Sequence, residues 1–205
     1  VEKRTFNIQD NPSDKIEYRY DQKGNVIEEL LYLGSEYVQF RNQFEYNDAK
    51  QKVSETRLNK EGKILFKTLF KYENSRLVAT ETYNGKNEAD YIEKNSYDEK
   101  GNVVRRYTYE KFDGSETIDE FTFDAAGNKT QWNATRNGQP VIKVAYAYDS
   151  HKNLTSVHTE GAQDKPIDDR TYKYTYDKKG NWITRTAAIG NKVTVLTERK
   201  IKYFQ

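Results

Sequence analysis

One pattern, aromatic-Asp-x-x-Gly-Asn-apolar, returns along this chain at a nearly constant interval, and a fixed period restricts the available folds more than any single motif does. It appears as Tyr20-Asp21-Gln22-Lys23-Gly24-Asn25-Val26, Tyr97-Asp98-Glu99-Lys100-Gly101-Asn102-Val103, Phe123-Asp124-Ala125-Ala126-Gly127-Asn128-Lys129 and Tyr176-Asp177-Lys178-Lys179-Gly180-Asn181-Trp182. Degenerate copies stand between them at Tyr46-Asn47-Asp48-Ala49-Lys50-Gln51, Tyr72-Glu73-Asn74-Ser75-Arg76-Leu77 and Tyr148-Asp149-Ser150-His151-Lys152-Asn153-Leu154. The aromatic positions 20, 46, 72, 97, 123, 148 and 176 are separated by 26, 26, 25, 26, 25 and 28 residues.

The residue types are those of a β-hairpin turn. Asp opens a type I turn, two tolerant positions follow, and Gly takes the left-handed conformation of a loop with a bulge. Asp21 and Gly24, Asp98 and Gly101, Asp124 and Gly127, and Asp177 and Gly180 are therefore assigned to turn structure. The expected turns lie near 21–25, 47–51, 73–76, 98–102, 124–128, 149–153 and 177–181. Lys50, Arg76 and Lys152 stand where Gly is expected, so altered turns are anticipated there. One step outward, the aromatic residue should meet the apolar one across the hairpin, pairing Tyr20 with Val26, Tyr97 with Val103, Tyr148 with Leu154 and Tyr176 with Trp182. Phe123 and Lys129 are the exception.

Half a period later a second turn signal recurs, at Leu33-Gly34-Ser35, Lys60-Glu61-Gly62, Asn84-Gly85, Asp113-Gly114, Asn137-Gly138, Asp164-Lys165 and Gly190-Asn191. Each repeat is thus strand, turn, strand, turn. Alternating segments such as Tyr172-Lys173-Tyr174-Thr175-Tyr176 place tyrosines on one face, while Arg19, Glu45, Lys71 and Thr175 fall on the other. Pro12, Pro140 and Pro166 lie at or near turns, where strands tolerate them. Seven repeats give about fourteen strands, and the terminal pieces Phe6-Asn7-Ile8 and Ile201-Lys202-Tyr203 add one or two more. The expectation is all-β: one domain over residues 1–205, a long antiparallel meander forming a strongly twisted or coiled single sheet. The ladder of leucine-rich repeats is absent, and a propeller blade needs roughly 40 residues rather than 26.

Composition supports a thin sheet. A mean hydropathy of −1.08 cannot supply a thick two-layer core. Instead 17 Tyr, 9 Phe and 2 Trp nearly match the 32 Val, Ile and Leu residues, and rings suit half-buried sheet faces. The net charge of +2, with both signs interspersed, offers no basic stripe for nucleic acid. No apolar run approaches the ~20 residues of a membrane helix. Absence of Cys excludes disulfides and thiolate chemistry. A chain beginning at Val1 without any Met is expected to be a processed or trimmed product.

Candidate chemistry is sparse, and no cofactor or metal is implied. Asp21, Asp98, Asp124, Asp149 and Asp177 are the ligand type that calcium takes, but copies a full repeat apart lie about 10 Å from one another. His151 and His158 have no nucleophile motif near them. The pairs Glu28-Glu29, Asp119-Glu120 and Asp168-Asp169 point to opposite faces of a strand, unlike a glycosidase couple. Trp182 is expected to be the apolar partner of Tyr176. Trp132 is three residues past that column and is expected on the polar face with Arg106, forming a contact patch. The tyrosine face, with Tyr107, Tyr146, Tyr172 and Tyr174, is the second candidate binding surface.

On these motifs the sequence resembles the YD-repeat (RHS-like) family, over essentially the whole chain from Tyr20 to Tyr203. The resemblance implies an extended β-sheet in a bacterial secreted or cell-envelope protein, a lipoprotein candidate located outside the cytoplasm. Family repeats can spiral into a shell around a toxin domain, but seven repeats are too few to enclose a large cavity. The function expected is a non-catalytic binding or scaffolding surface for an envelope protein. A carbohydrate-binding module is the alternative, and a module of a toxin-delivery shell the weaker one. Partners would be an envelope protein or a glycan, not nucleic acid, and exposed edges at both ends allow edge-to-edge self-association.

Overall fold

The computed structural model describes the backbone of residues 2–6 and 12–203 and the side chains of residues 14–203. Sixteen strands follow one another: β1 Glu2–Phe6, β2 Pro12–Tyr20, β3 Val26–Leu31, β4 Phe40–Tyr46, β5 Lys52–Asn59, β6 Ile64–Glu73, β7 Arg76–Asn84 and β8 Ala89–Tyr97. They continue as β9 Val103–Glu110, β10 Ser115–Phe123, β11 Lys129–Arg136, β12 Gln139–Tyr148, β13 Leu154–Gly161, β14 Pro166–Tyr176, β15 Trp182–Ile189 and β16 Lys192–Glu198. Strand order in the sheet is sequence order, so the sheet is an open meander, as the repeat predicts. A three-residue 3₁₀ turn at Ala162–Asp164 is the one helical element among the described residues. Of the expected terminal strands, Phe6 closes β1, whereas Asn7 and Ile8 lie outside the described residues. Residues 201–203 form no strand, because β16 ends at Glu198.

The strands group into two compact units, Val1–Asn95 with Thr108–Ser115, and Ser96–Tyr107 with Glu116–Gln205. In the first unit, Tyr20 stands opposite Val26 as expected, but its neighbour Arg19 stands opposite Glu28, with a register shift between them. The second unit repeats this: Tyr148 faces Leu154 and Ala147 faces Ser156, and Tyr176 faces Trp182 while Thr175 faces Thr184. One residue after each turn is therefore extra. Such a bulge reverses the inward and outward alternation of everything beyond it.

That reversal corrects the expected position of Trp132. It stands opposite Phe121 on β10 and Val144 on β12. Val144 shares its face with Tyr146 and Tyr148 by alternation along β12. The indole therefore belongs to the ring face, not the polar one.

Turn chemistry at the degenerate copies differs from expectation in two ways. Lys50 and Lys152 adopt positive φ, 60° and 64°, and keep the turn hydrogen bonds of the glycine copies. The Tyr72 copy is instead one residue shorter. Asn74 and Ser75 both have positive φ, Glu73 pairs with Arg76, and the turn is a two-residue hairpin. Arg76 thus opens β7 and does not occupy a glycine position. Gly85 has no positive φ either, the left-handed residue of its turn being Asn87. A Cβ at Gly85 would collide with the Ile64 carbonyl, so close approach is what requires glycine here.

No described side chain is fully buried. Leu30, Ala79, Ala134 and Val144 are the buried apolar residues, joined by buried Glu28, Asn42, Ser54, Glu81 and Ser115. Glu28 is neutralised by Arg19 at 2.7 Å and Arg41 at 3.3 Å, and Glu81 by Lys71 at 2.7 Å. Full burial of a large aliphatic side chain contributes roughly 1.5–3 kcal/mol, and here most are only half covered. Ladder and turn hydrogen bonds therefore carry an unusual share of the cohesion.

Candidate functional site

The motif turns are built in two chemical versions. In the direct version the Asp carboxylate closes its own loop. Asp98 Oδ1 accepts the Asn102 backbone N–H at 2.8 Å, and Asp98 Oδ2 accepts from Asn102 Nδ2 at 2.8 Å. Asp21 with Asn25 and Asp124 with Asn128 repeat these contacts. The Asn side-chain bond, aided by backbone N–H groups, holds these three carboxyls below their ordinary range. The aromatic hydroxyl of the following repeat goes elsewhere. Tyr46 donates to Val26 O at 2.9 Å, Tyr72 to Lys52 O at 3.1 Å and Tyr148 to Lys129 O at 3.0 Å.

In the bridged version a tyrosine inserts between Asp and Asn. Tyr176 donates to Asp149 Oδ2 while accepting from Asn153 Nδ2 at 2.8 Å. Tyr203 donates to Asp177 Oδ2 and accepts from Asn181 Nδ2 at 2.6 Å. The carbonyl used in the direct version is already occupied here, by Tyr174 on Leu154 O at 3.0 Å and by Arg199 Nε on Trp182 O. Desolvation pushes the Asp149 carboxyl up, but the Tyr176 bond and two backbone N–H groups outweigh it and leave it lowered. Tyr176 is itself raised, by desolvation and then by Asp149. The His151 ring stacks on Tyr176 at 4.0 Å and 17°. Tyr174 meets Tyr176 at 6.3 Å and the edge of Trp182 at 6.2 Å, and Arg199 covers the indole at 3.8 Å. The one trace of this ring cluster in the residue pattern is the 28-residue spacing before Tyr176.

Along the ring face, cations lie over phenylalanines. Lys52 Nζ is 5.1 Å from both Phe44 and Phe70, and Lys129 Nζ is 4.6 Å from Phe121. This accounts for the exceptional Phe123/Lys129 copy. Both copies with Lys at the apolar position carry Phe two residues before the motif aromatic, namely Phe44 and Phe121, whereas Val26, Leu154 and Trp182 accompany Tyr18, Tyr146 and Tyr174. A flexible aliphatic stem with a charged head covers a ring without a hydroxyl.

Trp132 is half-buried and donates from Nε1 to Asp119 Oδ1 at 2.7 Å, across the hairpin. Tyr146 stands opposite Val157, Tyr172 opposite Ala187 and Tyr174 opposite Arg185. Burial raises the Tyr146 and Tyr174 phenols. These residues occupy β11, β12 and β14, so Trp132 and Tyr172 are three strand spacings, about 14 Å, apart. They line one face without forming one pocket. Arg106 and Tyr107 are consecutive on β9 and point to opposite faces. Arg106 holds the Trp132 column by motif register, so Tyr107 does not belong to the ring face as expected.

A groove of about 470 Å³ lies beside the direct Asp98 turn, lined by Lys100, Val104, Phe121, Phe123 and Asp124. It opens where Phe123 supplies a ring without a hydroxyl. On the opposite face His158 sits between two carboxylates, with Nδ1 at 2.8 Å from Asp169 and Nε2 at 3.1 Å from Glu160. Its pKa is raised by Asp169 first and Glu160 second. Both ring nitrogens must donate in this arrangement, so the geometry is that of an imidazolium.

No family model matches the chain, and no curated protein matches it. Among solved structures, the crystal structure of TcdB2-TccC3-Cdc42 is similar at a TM-score of 0.44 and 13% identity, over 91% of this chain and 12% of that one. The crystal structure of TcdB2-TccC3 without hypervariable C-terminal region also has a TM-score of 0.44, at 12% identity, over 96% of this chain and 13% of that one. The chain thus spans only 12–13% of the length of those chains. Among the described residues no helix is long and apolar enough to cross a membrane.

Proposed function

We propose that this chain is a YD-repeat protein that works outside the cytoplasm as a non-catalytic binding surface for a protein of the cell envelope. The observation that carries this reading is the half-buried ring face. Tyr18, Phe44 and Phe70 in the first unit, and Phe121, Tyr146 and Tyr174 in the second, hold the same position in six of the seven repeats, with Asn95 in the other, and no described side chain is fully buried. Rings at a fixed spacing, each with polar or cationic neighbours, distribute affinity over many small contacts. Crosslinking in the native envelope followed by purification of this chain tests the reading. A reproducible envelope protein, lost when Tyr146 and Trp132 are replaced by alanine, is the expected result. Recovery of the chain alone would overturn it.

A second reading is supported by the Trp132–Asp119 contact. An indole whose N–H is fixed by a carboxylate presents a ring beside a hydrogen-bond acceptor, and those are the two groups that hold a sugar. In this reading the partner is a glycan. A glycan array with wild type and Trp132→Ala in parallel separates the two readings. Selective binding lost in the variant identifies a carbohydrate module, and a silent array returns the weight to a protein partner.

A further inference from the structure

We propose that Arg185 is a docking point for a carboxylate, and that the envelope protein read above as the partner presents an aspartate or glutamate to it. That the carboxylate belongs to a protein rests on that reading, and the site itself rests on three observations. First, Arg185 carries a charge that the sheet does not balance. On the ring face it stands opposite Tyr174 and Thr197, between Trp182 and Ala187 along β15, with Tyr172 and Val195 on the diagonals. None of these is acidic. Among the described residues Arg185 has no ion pair, whereas Arg19, Arg41 and Arg170 each have a carboxylate within 3.3 Å.

Second, charges elsewhere in the same column are satisfied from within. Glu29 and Glu55 stand opposite Tyr18 and Phe44 in the first unit, as Arg185 stands opposite Tyr174 in the second. Glu29 accepts from Asn42 Nδ2 at 3.0 Å and Glu55 from Lys52 Nζ at 2.7 Å. Arg185 has no such neighbour. Third, the guanidinium is held in place. Its Nε is enclosed and unbonded while the residue as a whole is only half-buried, and the terminal nitrogens are not enclosed. Burial raises the Tyr174 phenol and Arg185 opposes that rise, as a cation beside the hydroxyl must. A half-buried cation without a counter-ion is a liability, and a carboxylate that meets its planar fork with two charge-assisted bonds removes it. The Tyr172 and Trp182 rings on either side supply surface for the stem of an acidic side chain. Arg199, which covers Trp182 at 3.8 Å, brings a second positive charge to the same face.

Titration of the ¹⁵N-labelled 205-residue chain with the peptide acetyl-Phe-Glu-amide tests the site. The Arg185 Nε–H and Trp182 indole N–H resonances should shift together and saturate. Acetyl-Phe-Gln-amide, of the same shape without the charge, should need about ten times the concentration. In Arg185→Gln the Trp182 shift should disappear while the indole resonance of Trp132, the other tryptophan, stays in place and reports an intact sheet. Arg185→Lys, which keeps the charge and loses the fork, should bind with intermediate strength. A silent wild type would overturn the proposal. So would equal responses to the two peptides, a Trp182 shift that survives Arg185→Gln, or a stronger response to glucuronate, which would give the site to a glycan. Crosslinking Arg185→Gln in the native envelope separates this proposal from the reading beneath it. An envelope protein captured equally well by the variant overturns the carboxylate contact and leaves that reading standing. Peptide binding at Arg185 with no envelope protein captured removes the envelope partner and leaves the carboxylate site.

Discussion

The Asp98 and Asp149 turns carry the same opening residue and the same closing Asn, yet they do different work. Asp98 closes its own loop through the backbone and side chain of Asn102. Asp149 is joined to a strand 27 residues away, because Tyr176 stands between its carboxylate and Asn153. The cause lies in the following repeat. After Asp98 comes Phe123, which has no hydroxyl. After Asp149 comes an eleven-residue strand with three tyrosines in step, the last two being Tyr174 and Tyr176. Tyr174 lies 26 residues beyond Tyr148 and satisfies the Leu154 carbonyl, the duty that Tyr148 performs one repeat earlier on Lys129. Two additional residues preserve face parity and advance a second hydroxyl to the turn. A change of repeat length by one pleat thus converts a local turn into an inter-repeat tie.

If so, removing the carboxylate should harm the tied turn more. Asp149→Ala is expected to lower the melting temperature by about 5 °C and Asp98→Ala by about half that, measured by circular dichroism. Equal losses would show that both carboxylates act only on their own loops. Tyr176→Phe isolates the tie itself. It should cost about 3 °C, and Asn153 Nδ2 should swing onto Asp149 as Asn102 does onto Asp98. The side-chain amide resonances of Asn153 report that swing. Tyr146→Phe serves as the control, since no hydrogen bond among the described residues holds the Tyr146 hydroxyl, and a matching loss there would remove the special role of Tyr176.

The repeat made the strand count, the order and the turn positions legible, because glycine and asparagine at a fixed offset have few structural uses. The pairings Tyr20–Val26, Tyr148–Leu154 and Tyr176–Trp182 followed from the same offset. Trp132 was misplaced because alternation was counted straight through the residue that the bulge adds. The pattern contains that bulge in its glycine, so the correct face was accessible in principle. The tie between Tyr176 and Asp149 was not. It depends on which of two hydroxyls reaches a carbonyl first, a competition among side chains 20 to 27 residues apart that no local pattern encodes. Charged cover on the ring face was hidden for a similar reason. Lys52 and Lys129 look like breaks in an apolar column until their stems are seen lying over rings.

Lys152 adds a smaller difference between the two turns, since it holds φ 64° where Gly101 holds 91°. A left-handed L-residue costs roughly 1–2 kcal/mol, and glycine returns part of that gain through its freer unfolded chain. Lys152→Gly should therefore raise the melting temperature by about 2 °C, and Gly101→Lys should lower it by a comparable amount. If Lys152→Gly is neutral, the lysine is compensated by something that the turn geometry does not contain, and the two turns are closer in strain than their φ values imply.

The smallest effect concerns pH and separates the turns from the strands. The folded carboxyls of Asp98 and Asp149 lie below their ordinary value, so their contribution is complete above about pH 4 and is lost as pH falls through the folded values. His158 is the opposite case. Its folded pKa is raised by Asp169 and Glu160, so its contribution is complete below the unfolded value of about 6.5 and disappears as pH rises through the folded one. Lys143 shares Glu160 at 3.2 Å and keeps that carboxylate ion-paired when the imidazole becomes neutral, whereas Asp169 loses its ion pair. Melting temperature should fall by about 1 °C between pH 6 and pH 9, and His158→Gln should flatten that slope while leaving the acid limb unchanged. An unchanged slope in the variant would place the neutral-range titration elsewhere. A shifted acid limb would show that the turn carboxylates and the β13–β14 ion network are coupled rather than independent.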